Sequence, residues 1–209
     1  MQQLLTGKKR LPGFSGEWDC CCITEICDFS GGAQPPKSEW LNHPADGYIR
    51  MLQTRDYTQP NNTYQVEYVK ITKSTKQCCC DDIMIARYGA SIGKILTGKA
   101  GAYNVALMKT IPNHLKLEKC FLKYVLQSND FQTFIQSICT RAAQSGFNKD
   151  DLNEYMMYLP PLKEQREIVN IVSVFESEID LLERVLNREK QKKKALMQLL
   201  LSGVVRVNE

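Results

Sequence analysis

The sequence predicts an α+β fold in which a globular part is followed by one very long helix. Three observations lead to this class. Short strand-like runs alternate with turn signals between residues 18 and 108, an apolar helical pattern follows at residues 116–137, and an uninterrupted heptad pattern fills residues 162–201. A chain of 209 residues is long enough for one compact domain and such a helix.

The predicted long helix runs from Leu162 to Leu201, and its apolar residues recur at alternating steps of four and three. We define the helix seam as Ile168, Val172, Phe175, Ile179, Leu182, Leu186, Leu196 and Leu200, with polar positions at Glu189 and Lys193. A period of 3.5 residues is typical of a coiled coil. The helix follows Pro160 and Pro161 and ends before Gly203. At about 1.5 Å per residue it spans about 60 Å, so we expect it to pair with another helix.

The elements of the globular part are predicted from alternation, turn residues and helical spacing. We predict strands at 18–23, 48–51, 66–71, 78–86, 105–108 and 156–159, a helix at 116–137, a short helix or turn at 151–155, and loops at 89–101 and 140–150. The resulting division is a helix tail at 1–10, a globular domain at 11–160, the long helix at 161–203 and a tail at 204–209.

The two ends of the chain resemble each other at one fixed offset. Met1-Gln2, Leu4-Leu5, Gly7 and Arg10 match Met197-Gln198, Leu200-Leu201, Gly203 and Arg206. The chain therefore begins with what looks like the end of the helix with which it closes. This pattern indicates a tandem unit cut once per period, although two Leu- and Gln-rich helix ends could also match by chance.

Basic residues concentrate in the middle of the sequence. The net charge of the whole chain is +4, and residues 70–109 alone hold seven basic residues against Asp81 and Asp82. Such a stretch can follow a phosphate backbone, and it can equally be a solvated face.

Several catalytic and metal-binding interpretations fail on spacing. The segment from Gly89 to Ile95 has three residues between its glycines and no hydroxyl after Lys94, so it is not a P-loop. Its glycines would suit either a close approach to a phosphate or a tight turn. The pairs Asp81-Asp82 and Asp150-Asp151 lack the companions of a nuclease site. We therefore expect no enzyme activity, no catalytic residue and no cofactor.

The nine cysteines are an odd number, and two CCC triplets do not match usual zinc spacing. We expect small buried hydrophobic residues rather than disulfides, with a structural zinc as the less favoured alternative. The longest apolar runs are only a few residues, and the N-terminal sequence lacks a signal-peptide core. The sequence thus predicts a cytoplasmic protein without a membrane partner and without a bound metal.

Three segments carry a resemblance to a known family. Leu159–Ile168, reading LPPLKEQREI, and Lys192–Gly203, reading KKKALMQLLLSG, resemble the beginning and end of the conserved helix of type I restriction–modification specificity subunits. Residues 2–18 resemble the passage into a second recognition domain of that family. Ile85–Lys94 resembles a Gly-containing strand and turn of those domains.

The resemblance implies a non-catalytic reader of DNA. In that family two target recognition domains each read half of a split double-stranded target, two conserved helices pair antiparallel as a spacer, and modification and restriction subunits perform the chemistry. This sequence has one domain and one full helix, so it looks like a half-subunit that we expect to form a homodimer through the long helix. The alternatives are a coiled-coil scaffold without DNA reading, and an enzyme that uses the cysteines or paired aspartates.

Candidate DNA contacts follow from this interpretation. Basic groups would position the protein on phosphates, and polar groups would read base edges. The candidates are Lys70, Lys73, Lys76, Arg87, Tyr88, Ser91, Lys94, Lys99, Tyr103 and Asn104, with Arg141, Gln144 and Lys149 in second rank. Tyr88 and Tyr103 could equally be core aromatics.

Overall fold

The computed structural model describes residues 2–59, 64–141 and 146–205 and confirms the α+β class. The helices are α1 (Gln2–Leu5), α2 (Ile23–Ile26), α3 (Thr54–Thr58), α4 (Lys119–Leu126), α5 (Asn129–Arg141) and α6 (Leu162–Leu201). The strands are β1 (Asp19–Cys22), β2 (Cys27–Gly31), β3 (Tyr48–Leu52), β4 (Tyr68–Lys70), β5 (Gln77–Cys78), β6 (Met84–Ala86), β7 (Ile95–Leu96), β8 (Gly101–Tyr103), β9 (Leu107–Pro112) and β10 (Met156–Leu159). Turns of 3-10 helix cover Lys37–Glu39, Gly89–Ser91 and Asp150–Glu154.

The described strands form two four-stranded sheets and one two-stranded ribbon. The sheet orders are β2-β9-β6-β7 and β4-β3-β8-β5, and the ribbon pairs β1 with β10. The pairing of β3 with β8 is parallel, whereas the other strand pairs are antiparallel. The ribbon aligns Asp19 with Leu159, so it brings the start of the globular part beside the residues that lead into α6.

One apolar core joins the two larger sheets. Leu52, Cys78 and Tyr103 enter it from one sheet, and Met84, Ala86, Leu96 and Leu107 enter it from the other. All of these side chains are at most 7% exposed, so the two sheets form a single globular body rather than two modules.

The predicted helix at 116–137 consists of two helices, so its prediction as one element was wrong. The break lies at Gln127 and Ser128, where the buried Ser128 accepts a hydrogen bond on its hydroxyl from the Phe131 amide at 3.3 Å. A serine in this position satisfies an N–H at the start of a new helix, which is why α5 begins here. Phe131 then packs edge-on against Tyr155, with ring centroids 5.0 Å apart.

The predicted single strand at 78–86 was also wrong. Residues 79–82 form a turn in which the Cys79 amide donates to the Asp82 carboxylate at 2.8 Å and the Asp82 amide donates to the Cys79 carbonyl at 3.1 Å. Aspartate side chains compete for backbone N–H groups in this way and interrupt strands. The turn places β5 and β6 in different sheets.

The other strand predictions met mixed outcomes. The predicted strand at 156–159 matches β10, and those at 18–23, 48–51 and 66–71 enclose or overlap β1, β3 and β4. The strand predicted at 105–108 begins later, because Asn104 accepts a hydrogen bond from the Ala106 amide and holds a turn. Strand β2 was missed, and the predicted loop at 89–101 contains β7 and the start of β8.

Helix α6 has the predicted bounds, Leu162–Leu201. Gly203 follows it with φ +73°, a left-handed conformation that favours glycine, and its amide donates to the Leu200 carbonyl. The chain divides into two compact units, Met1–Arg166 and Glu167–Glu209. No helix among the described residues is both long enough and apolar enough to cross a membrane.

Candidate nucleic-acid interface

Three candidate lysines lie on one exposed loop. We define the basic loop as residues 70–76, which lead from the end of β4 to β5, with Lys70, Lys73 and Lys76 exposed. Its turn is held by Thr75, whose hydroxyl donates to the Lys70 carbonyl at 3.1 Å and accepts from the Thr72 amide at 2.8 Å. These local hydrogen bonds fix the backbone, so the three ammonium groups project from an ordered turn.

The lysines of the basic loop have no acidic partner in the part of the chain that the structure describes. Lys70, Lys73, Lys76, Lys94 and Lys99 form no ion pair within the described residues. Lys109 belongs to the same basic stretch of sequence, but it is bound to Asp82 at 3.2 Å. Lys70, Lys73 and Lys76 therefore place three unpaired positive charges on one short loop.

A second group of candidates surrounds the end of β6. We define the Arg87 turn as residues 87–94, which include the candidates Arg87, Tyr88, Ser91 and Lys94. The Arg87 guanidinium donates from Nε to the Phe147 carbonyl at 3.0 Å and lies 5.1 Å from the Tyr88 ring centroid. Tyr88 remains 40% exposed, so this arginine positions an accessible aromatic ring.

The glycines of the Arg87 turn do not form a phosphate cradle. The amides of Ile92, Gly93 and Lys94 donate to carbonyls of Gly89, Ala86 and Ser91. Gly93 has φ +78°, and a Cβ built there would lie 3.0 Å from the Gln132 side chain of α5. Of the two interpretations of this segment, the structure favours the tight turn, because these three amides already donate within the protein.

The basic loop and the Arg87 turn flank one segment of backbone. The Tyr103 amide donates to the Lys76 carbonyl at 3.1 Å, and the Arg87 amide donates to the Ala106 carbonyl at 2.8 Å. Residues 103–106 therefore tie the two groups together. A rigid connection of this kind suits a surface whose phosphate contacts must keep a fixed register.

Two candidates are withdrawn because they are buried. Tyr103 is 1% exposed, and its hydroxyl donates toward the carbonyl and hydroxyl of Ser30 at 3.4 and 3.3 Å. Asn104 is 8% exposed and its carboxamide accepts from Ala106 at 3.2 Å. Neither side chain presents a group to the surface, so their prediction as DNA contacts is corrected.

Among the remaining candidates, Lys99, Arg141 and Lys149 each contact a different part of the globular unit. Half-buried Lys99 lies 5.9 Å from the Tyr57 ring of α3, whereas exposed Arg141 pairs with Glu154 at 3.0 Å. Lys149 pairs with Asp28, and this hydrogen-bonded ammonium lowers the pKa of that carboxyl. Gln144 lies outside the described residues.

A polar network around α3 was missed by the sequence analysis. The Asp56 carboxylate accepts a hydrogen bond from the Gln53 amide at 2.8 Å and the Gln53 side chain accepts one from the Asp56 amide, which together form a capping box at the start of the helix. Arg50 also pairs with Asp56. The spacing Gln53-x-x-Asp56 was the signal that could have located it. Glu67 accepts from Arg55 and Gln53 at 2.7 Å each, and these bonds hold the network against β4.

The cysteines do not form a metal site. All nine have free thiols, and no cluster of three or more His, Cys, Asp or Glu side chains able to hold a metal occurs in the described part of the chain. Cys27 and Cys78 are buried as predicted, and burial raises the pKa of Cys27 to about 12. The same prediction was wrong for the exposed Cys20, Cys79, Cys80 and Cys120.

The helix seam changes its exposure along α6. Ile168 and Val172 are 1% and 6% exposed. Exposure then lies between 46% and 60% for Phe175, Ile179, Leu182, Leu186, Leu196 and Leu200. A second exposed stripe, which we define as Ile171, Val174, Leu181 and Val185, runs beside the seam. An apolar surface of this extent is typical of an interaction site.

Comparison with known proteins assigns the family. The family model of the type I restriction modification DNA specificity domain matches residues 15–190, which include both the globular unit and most of α6. The chain belongs to the type I restriction–modification DNA specificity family. The resemblance inferred from the two ends of α6 is thereby confirmed.

A specificity subunit from an archaeon is similar to most of this chain. The type I restriction enzyme MjaVIII specificity subunit of Methanocaldococcus jannaschii is 23% identical over 184 residues, which is 88% of this chain and 42% of that protein. The chain thus spans less than half the length of this relative.

Solved structures support the fold. A chain from a study of complex assembly and conformational transition of the type I R-M system has a TM-score of 0.69 at 22% identity, over 94% of this chain and 48% of that chain. The HsdS subunit from Thermoanaerobacter tengcongensis has a TM-score of 0.63 at 21% identity, over 88% of this chain and 44% of that chain. At these identities the likeness establishes the shared fold.

Proposed function

We propose that the globular unit of this specificity-family chain reads one half of a bipartite double-stranded DNA target. The chain is non-catalytic and directs methyltransferase and restriction subunits to that target. The observation that carries the proposal is the set of unpaired lysines on the basic loop, within a unit that matches the specificity domain. Tyr88, Ser91 and Lys94 of the Arg87 turn provide nearby groups that can contact base edges and phosphates.

Helix α6 is proposed as a spacer that pairs antiparallel with a second helix. Its seam is half-exposed from Phe175 to Leu200, which is the state of a coiled-coil face without its partner. A second copy of the chain can supply that partner through a two-fold axis. The second exposed stripe then remains available for the modification subunits. Residues 11–160 act as the target recognition domain in this arrangement.

The decisive experiment maps methylation in cells that carry this chain with modification subunits. We expect methylation at one defined sequence made of two half-sites. Two identical recognition domains related by a two-fold axis would make the half-sites inverted repeats. Methylation of random sequence without preference would contradict DNA reading by this chain. An asymmetric target would contradict only the homodimer.

The basic loop can be tested separately in the reconstituted complex. Lys73→Glu with Lys76→Glu should weaken DNA binding and reduce the slope of log affinity against log salt by about 2, since each phosphate contact contributes roughly 0.9. Lys116→Glu with Lys163→Glu is the matched control, because both lysines are exposed and the charge change is the same. Equal effects of the two variants would favour a scaffold without direct DNA reading.

A further inference from the structure

The two ends of the chain share a local structure as well as a sequence. We define the N-terminal segment as residues 2–10 and the C-terminal segment as residues 198–206, of which 198–205 are described. In both, a helix end is followed by a glycine, Gly7 with φ +70° and Gly203 with φ +73°. A left-handed glycine at the same place gives both segments the same turn.

The same hydrogen bonds close both turns. The Lys9 amide donates to the Gln3 carbonyl at 2.9 Å, and the Val205 amide donates to the Leu199 carbonyl at 3.3 Å. The hydroxyl of Thr6 donates to the Gln3 carbonyl, as the hydroxyl of Ser202 does to the Leu199 carbonyl. These paired contacts make chance similarity of two helix ends a poor explanation.

The N-terminal segment is anchored in a specific site of the globular unit. We define the Trp18 socket by Trp18, Glu164 and the Gly16 carbonyl. Arg10 binds Glu164 through two parallel hydrogen bonds of 2.8 Å and also donates to the Gly16 carbonyl. Gly7 lies against the indole, where an added Cβ would be 3.2 Å from Trp18. Trp18 donates to Glu164 at 3.1 Å, and Glu164 is fully buried.

The C-terminal segment has the same form but exposes its apolar residues. Leu5 is 5% exposed, whereas the matching Leu201 is 84% exposed. Val204 is 73% exposed where the N-terminal segment has Lys8. The sequence also supplies Arg206 at the position that matches Arg10. The C-terminal segment thus has the same backbone form as the docked N-terminal segment, but its apolar side chains are in solvent. This exposure indicates a segment that binds to another surface.

We infer that the C-terminal segment of one copy docks into the Trp18 socket of a second copy, in place of that copy's N-terminal segment. The inference rests on the antiparallel pairing of α6 proposed above. In such a pair the end of one helix meets the start of the other, and Glu164 lies in the first turn of α6. Arg206 would then bind the buried Glu164 carboxylate by the same bidentate geometry as Arg10. The socket is thus a self-assembly site that recognises a helix end, a glycine turn and an arginine.

The test uses the full chain with the photo-cross-linking residue p-benzoylphenylalanine in place of Val204. Unlabelled and ¹⁵N-labelled copies are mixed, irradiated and analysed by mass spectrometry. We expect cross-links between heavy and light copies that join position 204 to peptides containing Trp18 or Tyr158, because both side chains border the cavity beside Arg10. Adding Arg206→Glu should lower this yield about ten-fold or more, since it brings a like charge to buried Glu164.

Gly7→Val tests the competition between the two segments without changing Glu164. A valine at φ +70° and so close to Trp18 should displace the N-terminal segment and raise the cross-link yield several-fold. An unchanged yield would overturn the proposed exchange. The same cross-linker at Leu186, a residue of the helix seam, reports self-association alone. Heavy–light cross-links from position 186 without any from position 204 to the socket would overturn the docking only, and none from either position would overturn the helix pairing as well.

Discussion

At the scale of single residues, Glu164 has no exposed surface, and both of its oxygens are bound by Arg10. Breaking such a pair leaves an uncompensated buried charge. We expect Arg10→Ala to lower the free energy of unfolding by about 3 kcal/mol, measured by chemical denaturation. Arg141→Ala breaks an exposed pair with Glu154 and is the control, with an expected loss of no more than about 1 kcal/mol. Equal losses would contradict the burial argument.

Glu67 predicts a pH dependence of stability. Burial raises its pKa, but the hydrogen bond and charge of Lys37, together with Gln53 and Arg55, lower it further, so the pKa in the folded protein lies below the ordinary 4.5. A lowered folded pKa contributes stability that is present above the unfolded pKa and lost as the pH falls through the folded value. Glu67→Gln should therefore destabilise the protein at pH 7.

The check on Glu67 is the difference in unfolding free energy between the wild type and Glu67→Gln, measured from pH 7 down to pH 3. We expect this difference to shrink as the pH falls below 4.5, because the wild-type carboxylate then becomes neutral. A difference that stays constant with pH would show that the Glu67 charge does not stabilise the fold. The comparison with the variant removes the contribution of the other carboxylates.

At the scale of elements, a helix or strand was predicted correctly where the residues that determine its ends are close together in the sequence. The heptad spacing and the flanking Pro161 and Gly203 are local, and α6 was predicted with its correct bounds. The break between α4 and α5 and the turn at Cys79–Asp82 depend on one serine and one aspartate whose side chains bond to the backbone. Both breaks carry polar residues, Gln127–Asp130 and Asp81-Asp82, but the prediction joined the apolar patterns on either side across them.

The exposed seam of α6 predicts how charged substitutions in this helix affect self-association. Ile179→Asp with Leu182→Asp should abolish self-association or partner docking, because two charges would be placed inside an apolar interface. Asn187→Asp with Gln191→Asp adds the same charge on exposed positions outside the seam and should leave the molar mass unchanged. Light scattering measures both variants against the wild type. If the seam variant has the same molar mass as the wild type, the homodimer through the seam is refuted.

At the scale of the whole molecule, the sequence located the basic stretch at residues 70–109, but it did not show which of its side chains are exposed to solvent. Lys70, Lys73 and Lys76 are exposed together, whereas Tyr103 and Asn104, from the same stretch, are buried. Burial is decided by strands far apart in sequence, such as β6 and β8, so residue type and spacing could not separate the two groups. The same limit concealed the Arg10–Glu164 pair, whose members lie at opposite ends of the globular unit.

The length of α6 sets the last prediction, because an antiparallel spacer fixes the separation of two recognition domains. Removing Glu176–Leu182 deletes one heptad and leaves Phe175 and Leu186 at seam spacing. Each copy loses about 10 Å of helix, so the half-sites should move closer by about three base pairs at roughly 3.4 Å each. Sequencing of methylated sites would show the shorter gap with unchanged half-sites. An unchanged gap would contradict the spacer role, because paired rods of reduced length cannot hold the domains at the original distance.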